Sequence, residues 1–409
     1  MNQALKDQRI QALISLYNNG DIKECLLRAK KVAKIYPEEP FVFNLIGVVN
    51  ASIGSYEEAI ESYKRALKIN PDYFEVYNNL GVVLNDSNKP DEAASYLKKA
   101  LRINQNYPEA CNNLGNSFKE LDELDQAIEC YKNAIKFLKK GIEIEKNIYG
   151  KNHPYLADSY NWIGEIYLKI GNFLEAEKYY SMVNKIRELY EKENPLSLSL
   201  SYAKVGDLYK QKGDFNQSEK YLLKSLRVYE RIPDENFLVL ARILSDLGNL
   251  YEKKDLFKIA KIYYQKSLNA KENFLGKEHV DIVISLLNLG RVSANLGELK
   301  ESEKFYLKSL NMQKSLLGEN NPATAISLIH LADLNSKKGL FKKEEEYLLQ
   351  AKTISDNYEN KSDISNLTVL ILLADVYLRK GFYNEAEESS LKALEVAEDK
   401  DDKISIYLR

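Results

Sequence analysis

Small residues recur along the chain at fixed intervals, each set inside an amphipathic stretch. A Gly or Ala follows an aliphatic residue, a turn residue comes seven positions later, and a second small residue five further on. Gly47/Gly54/Ala59, Gly164/Gly171/Ala176 and Gly290/Gly297/Ser302 are clear copies. The first marker falls at Gly47, Gly81 and Gly115, 34 residues apart, then at Gly164, Gly206, Gly248, Gly290, Ala332 and Ala374, 42 apart. A weaker copy around Leu13 and Gly20 lies 34 residues before Gly47, and the step from Gly115 to Gly164 is 49. On both sides of each turn apolar residues return every three or four positions, which predicts two helices per copy and ten copies in all. Gly at the turn, as at Gly54, accepts the left-handed backbone that ends a helix. Gly47, Ala59 and Ala66 let two helix backbones approach, with Tyr63 filling the space beside them. One such helix pair cannot bury its apolar faces alone, so the copies must stack.

The pattern resembles the tetratricopeptide repeat family, whose succession of aromatic, Leu-Gly, turn, Ala, aromatic, Ala and Pro is met almost fully by Phe43, Ile46-Gly47, Gly54, Ala59, Tyr63, Ala66 and Pro71. The resemblance implies an all-α, right-handed superhelical solenoid of about ten helix-turn-helix repeats. Residues 40–135, with the runs Tyr77-Asn-Asn-Leu-Gly81 and Cys111-Asn-Asn-Leu-Gly115, are similar to the 34-residue repeats that precede the catalytic domain of O-GlcNAc transferases. Residues 141–393, with Ile148-Tyr-Gly-Lys-Asn-His-Pro154 and Phe274-Leu-Gly-Lys-Glu-His279, resemble the 42-residue repeats of kinesin light chains and related bacterial proteins. In those the second helix is expected to be about two turns longer. The expected organisation is a four-repeat segment over 1–139, a six-repeat segment over 140–397, and a short polar tail or incomplete cap over 398–409. The 49-residue step, around Ile135 to Ile148, predicts a helix lengthened by about two more turns at the junction.

Composition narrows the functional classes. With 58 Lys+Arg against 60 Asp+Glu the formal net charge is −2, which gives no electrostatic footprint for nucleic acid. The apolar stretch Leu367 to Ala374 meets Asp375 far short of the roughly 20 residues of a membrane helix. The first residues mix charges of both signs, without the basic, apolar, small-residue order of a signal peptide. Cys25, Cys111 and Cys130 show no CxxC spacing, so neither a disulfide framework nor a zinc site is expected. All three read as packing residues in a reducing, cytoplasmic setting.

Chemistry is sparse. The sequence contains no Gly-rich phosphate loop, G-x-S-x-G elbow or H-E-x-x-H motif, so no enzyme, cofactor or metal is expected. His153 and His279 stand 11 residues before Gly164 and Gly290, and Asn321 fills the same slot before Ala332. Recurrence in phase with the repeat predicts a structural duty at a helix start. In the resembling family the fifth, sixth and ninth positions of each first helix face the concave groove. The resemblance therefore puts Asn44, Asn78, Asn79, Asn112, Asn113, Asn116 and Asn161 in that groove. An amide side chain offers an acceptor and two donors, so a ladder of them suits an extended peptide backbone, at about 0.5–1.5 kcal/mol per bond. In O-GlcNAc transferase-like repeats a matching ladder binds substrate peptides.

The later repeats carry a mixed, charged set at these positions. It includes Glu165, Lys204, Asp207, Asp246, Asn249, Asn288, Arg291, His330, Asp333 and Asp375. Their ligand should differ, and the Lys/Asn/Lys/Arg clamp of chaperone-binding repeats is not reproduced. Trp162 takes a groove-facing sixth position while Tyr160 fills the aromatic slot, which suits an anchor for a partner. The expected peptide-contacting set is thus Asn44, Asn78, Asn79, Asn112, Asn113, Asn116, Asn161, Trp162, Lys204, Asn249, Asn288, Arg291 and His330. The expected function is a scaffold holding an extended peptide or partner helix, with a protein or peptide ligand and neither nucleic acid nor membrane. Two other readings fit: the substrate-recruiting arm of a larger enzyme such as a glycosyltransferase, or a peptide-sensing receptor that compacts on binding.

Overall fold

Proline is scarce and falls at the breaks between periodic stretches, and the chain between those breaks folds into helices. The computed structural model describes residues 3–232, 237–356 and 364–398. Among the described residues, twenty α-helices follow one another without a strand. The chain divides into two compact units, residues 1–189 and 190–409.

The first unit holds α1 (Gln3–Asn18), α2 (Ile22–Ile35), α3 (Pro40–Ser52), α4 (Tyr56–Ile69), α5 (Phe74–Asp86), α6 (Pro90–Ile103), α7 (Pro108–Glu120), α8 (Leu124–Tyr149), α9 (Pro154–Lys169) and α10 (Phe173–Leu189). The second holds α11 (Pro195–Gln211), α12 (Phe215–Tyr229), α13 (Phe237–Lys253), α14 (Phe257–Leu275), α15 (Val280–Asn295), α16 (Leu299–Leu317), α17 (Pro322–Lys337), α18 (Phe341–Asp356), α19 (Ile364–Lys380) and α20 (Tyr383–Glu398). Within each unit a helix packs on the one before and the one after it, and first helices of successive pairs also touch, as α5 does α7 and α15 does α17. Proline opens α3, α6, α7, α9, α11 and α17, where the missing N–H would have had no partner inside the helix.

The turn inside each pair demands a positive φ. Gly54 supplies it at +78°, while Asn88, Asp122 and Asp255 take the same role at 57–59°. Asn and Asp are the side chains that tolerate this region best. The first small residue of each copy has a steric duty instead. A Cβ added to Gly115 would come within 2.7 Å of the Tyr131 ring, one on Gly164 within 2.7 Å of Tyr180, and one on Gly248 within 2.6 Å of Tyr264. Each ring lies sixteen residues after its glycine and is almost fully buried.

The 42-residue copies depart from expectation in one respect. The length they add to helices is shared between both rather than given to the second alone. First helices lengthen from 13 residues in α3, α5 and α7 to 16 or 17 in α9, α11 and α13. Second helices lengthen from 14 in α4 and α6 to between 15 and 19 in α12 and α14. Lengthening both keeps the two apolar faces of a pair matched along their length. The extra length of the 49-residue step lies in its second helix, α8, a single helix of 26 residues.

Charge reinforces the stacking in the second unit. Lys254 pairs with Glu219 at 2.6 Å and Lys338 with Glu303 at 2.6 Å, while Arg379 grips the buried Glu344 with both guanidinium nitrogens. Each joins the second helix of one pair to the end of the next first helix. One copy is reversed: Lys261 stands where Glu219 and Glu303 stand, and reaches Glu298 and Glu301 at 2.6 Å each.

Candidate functional site

In α3, α5 and α7 the apolar residues face inward; Val42, Val76, Leu80, Ala110 and Leu114 are buried. Most asparagines of the same helices stay half-buried on the opposite side. Asn78 is the buried member of its pair.

These asparagines are joined to one another. Asn79 Nδ2 donates to Asn44 Oδ1 at 3.1 Å, and Asn113 Nδ2 donates to Asn78 Oδ1 at 2.9 Å. Asn112 Nδ2 donates to Asn113 Oδ1 at 3.3 Å. Ser117 Oγ donates to Asn85 Oδ1 at 2.9 Å. The bonds between Asn79 and Asn44, and between Asn113 and Asn78, cross from one helix pair to the next. The ladder therefore holds repeats together as well as presenting amides, and each bond uses only part of an amide's capacity.

At its end lies Lys169, from the last turn of α9. Its ammonium donates to Asn112 Oδ1 and Asn116 Oδ1 at 3.0 Å each and lies 5.6 Å from the centre of the Tyr131 ring. The Tyr131 hydroxyl donates to Asn116 Oδ1 at 2.9 Å. Desolvation lowers the Lys169 pKa below the usual lysine value, Glu165 opposing and Lys119 adding to the shift. Burial pushes the Tyr131 phenol up to about 12.

A cleft of about 230 Å³ opens here. Asn78 of α5 and Glu109, Asn112 and Asn113 of α7 meet Trp162, Glu165, Ile166 and Lys169 of α9 around it. Trp162 is 40% exposed. A second cleft, of about 260 Å³, lies between α5 and α7, bordered by Asn85, Asp86, Asn116 and Glu120 and sharing Asn113 with the first. Asn161 is buried beside Trp162, its amide donating to Glu165 Oε1 at 3.1 Å.

Glu109, Asn85 and Lys169 were outside the sequence-derived set. The positional rule admits three places per first helix and passes over the first and last turns. Lys169 meets Asn112 and Asn116 across 57 and 53 residues of chain, and no repeat period signals that meeting.

In the second unit, the structure brings four of the five expected residues into one polar layer. The Tyr264 hydroxyl sits 2.7 Å from Asn249 Oδ1 and 2.8 Å from Glu252 Oε2. Arg291 pairs with Glu252, and its Nη2 donates to Asn288 Oδ1 at 3.0 Å. His330 stacks on Tyr306 with ring centres 5.2 Å apart and 11° between planes. Desolvation, then Arg291, lowers the His330 pKa, so the neutral imidazole is favoured. Lys204 is half-buried on α11.

The in-phase residues are helix caps. His153 Nδ1 accepts from the Tyr155 N–H at 3.3 Å, His279 Nδ1 from Asp281 N–H at 3.1 Å, and Asn321 Oδ1 from Ala323 N–H at 2.9 Å. Cys25 and Cys111 are buried and Cys130 half-buried, all as free thiols. Burial pushes Cys111 and Cys130 up to about 11, which keeps them protonated and unreactive. No helix among the described residues is long and apolar enough to cross a membrane.

Comparison with known proteins agrees with this architecture. A tetratricopeptide repeat family model matches residues 107–188, 197–273 and 281–357, more than half of the chain. Further TPR repeat models match residues 47–87, and 74–107 with 367–400. Among solved structures, BtubC (BKLC) from P. vanneervenii is 19% identical, with 56% of this chain and 92% of that one covered at a TM-score of 0.50. That likeness is one of fold. Two crystal structures of nearly identical TPR-like repeats of a kinesin light chain from Podosopora anserina are 18% and 19% identical. They cover 51% and 50% of this chain and 99% and 97% of theirs, at TM-scores of 0.45 and 0.43. Among curated proteins none matches the chain.

Proposed function

Because the chain belongs to the tetratricopeptide repeat family, we propose that it is a protein-interaction scaffold whose first unit holds an extended peptide against the asparagines of α5 and α7, with Trp162 as the side-chain anchor. The observation that carries this reading is the cleft in which the half-exposed Trp162 meets Asn78, Asn112 and Asn113. Amides suit a peptide backbone because they match both its N–H and C=O groups whatever the side chains. An indole at the mouth of a cleft supplies the large, rigid contact typical of binding hot spots. In the second unit, the polar residues at the corresponding positions are engaged with one another, as Arg291 is with Glu252 and Asn288, which supports a structural share in their role. The balanced charge favours a protein partner over nucleic acid, and the free cysteines suit a reducing, cytoplasmic compartment.

Trp162 is the single tryptophan of the chain, so its emission reports on this cleft alone. Peptides selected from a random library against the intact protein are expected to shift that emission on titration. Replacing Asn79, Asn113 and Asn116 together by Ala should weaken them by tenfold or more, while far-ultraviolet dichroism stays unchanged. Selected peptides that bind without moving the Trp162 signal, and as tightly to the triple variant, would remove the groove from consideration.

A further inference from the structure

We propose that the occupant of the first-unit groove is a basic peptide segment, with arginine or lysine side chains entering the clefts on either side of Asn113. This rests on the reading of that groove as a peptide site and adds the chemistry of the ligand. Carboxylates border both clefts: Glu109 and Glu165 the first, Asp86 and Glu120 the second. Some acidic side chains elsewhere in the same unit are paired, as Glu39 is with Lys6, Glu143 with Lys146, Glu175 with Lys178 and Asp158 with Arg187. Among the described residues Glu109, Asp86 and Glu120 take part in no ion pair of this kind. The exposed face of Trp162 beside Glu109 and Glu165 suits a guanidinium or ammonium group, which is drawn both to an aromatic face and to the carboxylates around it.

The chain itself shows how a cation sits here. Lys169 places its ammonium on the amide oxygens of Asn112 and Asn116 and over the Tyr131 ring, so its hydrogen-bond partners are neutral amides. It occupies a lysine-sized place beside Glu165, offsetting part of that carboxylate's charge, and its own charge opposes a basic ligand. This makes the sign of its effect diagnostic: removing Lys169 should help a basic peptide and harm an acidic one.

The test uses the intact chain and three synthetic decapeptides, alternating Arg–Ser, Glu–Ser and Ala–Ser, titrated against Trp162 emission at low and physiological salt. The Arg–Ser peptide is expected to bind most tightly and to weaken with salt, as screened charges do. Glu109→Gln combined with Asp86→Asn should weaken it by roughly tenfold, and Lys169→Met should tighten it severalfold, on the scale of charge pairs at interfaces. Thermal melts of each variant check that it folds. The proposal is overturned if the Glu–Ser peptide binds best and is lost in Lys169→Met, or if Arg–Ser binding ignores the Glu109/Asp86 variant. Equal binding of Arg–Ser and Ala–Ser would refute the charge preference and leave the groove reading intact. No response to any of the three would count against both.

Discussion

A glycine and a ring sixteen residues apart decide how closely two helices of a pair can lie. The same offset joins Gly47 to Tyr63, Gly81 to Leu97 and Gly206 to Leu222, so beside a glycine the partner can be aromatic or aliphatic. The two copies that carry Ala instead, Ala332 and Ala374, have Leu348 and Ser390 at that offset, neither of them aromatic. Gly115→Ala forces a methyl group to within 2.7 Å of the Tyr131 ring. Overpacking of this kind costs about 1–3 kcal/mol, and the ring also anchors Asn116. The variant should therefore melt several degrees lower, and an unchanged melting temperature would mean the helix pair can part at no cost. The caps belong to the same scale and were readable in advance. His153, His279 and Asn321 share one phase of the repeat, and at that phase every copy has the same helix start to satisfy.

At the scale of the element, ion pairs bind each helix pair of the second unit to the next. Glu219, Lys261, Glu303 and Glu345 recur every 42 residues on second helices, and the one reversed charge has its partners reversed as well. Where Lys254 and Lys338 meet a glutamate, the corresponding place beside Lys261 is Leu296, and the acids have moved to Glu298 and Glu301. Lys261→Glu alone would put three carboxylates together and is expected to destabilise the fold by about 1 kcal/mol or less, given that such pairs are partly exposed. Adding Leu296→Lys should recover most of the loss by restoring the pattern of the neighbouring copies. Chemical denaturation of the single and double variants measures both; absence of recovery would show that the reversal has no energetic meaning. The lengths of the helices were only half legible. The 42-residue period announces eight more residues per copy, yet how the added helical length divides between two helices depends on keeping paired apolar faces level, which the period does not encode.

For the molecule as a whole, the acid response combines terms of opposite sign. Desolvation raises Asp246 above the ordinary aspartate value of 3.8, against the pull of Lys210 and Arg242. The folded state holds that proton more tightly than the unfolded chain, so the associated cost is absent at low pH and sets in as pH rises through the folded value. Glu219 is lowered from 4.5 by its bond to Lys254, so its contribution is present above that value and is lost as pH falls. Asp246→Asn is thus expected to raise the melting temperature at pH 7 and Glu219→Gln to lower it, with both differences shrinking towards zero by pH 3. Thermal melts at the two pH values check this. A gain for Asp246→Asn that persists at pH 3 would trace it to packing instead of charge.

The amino-acid sequence by itself determined the helix pairs, their turns and, within each unit, the order in which they stack. The contacts that build them join residues 16 to 42 positions apart, within one copy or between neighbours, and such contacts leave a period behind them. The tertiary structure alone decided what the polar face does. Asn79 is bonded to Asn44, Asn113 to Asn78, and Lys169 to Asn112 and Asn116, and these pairings depend on the angle and register at which successive helices settle. A hydrogen bond forms or fails within a few tenths of an ångström, far finer than any spacing of residue types along the chain can specify.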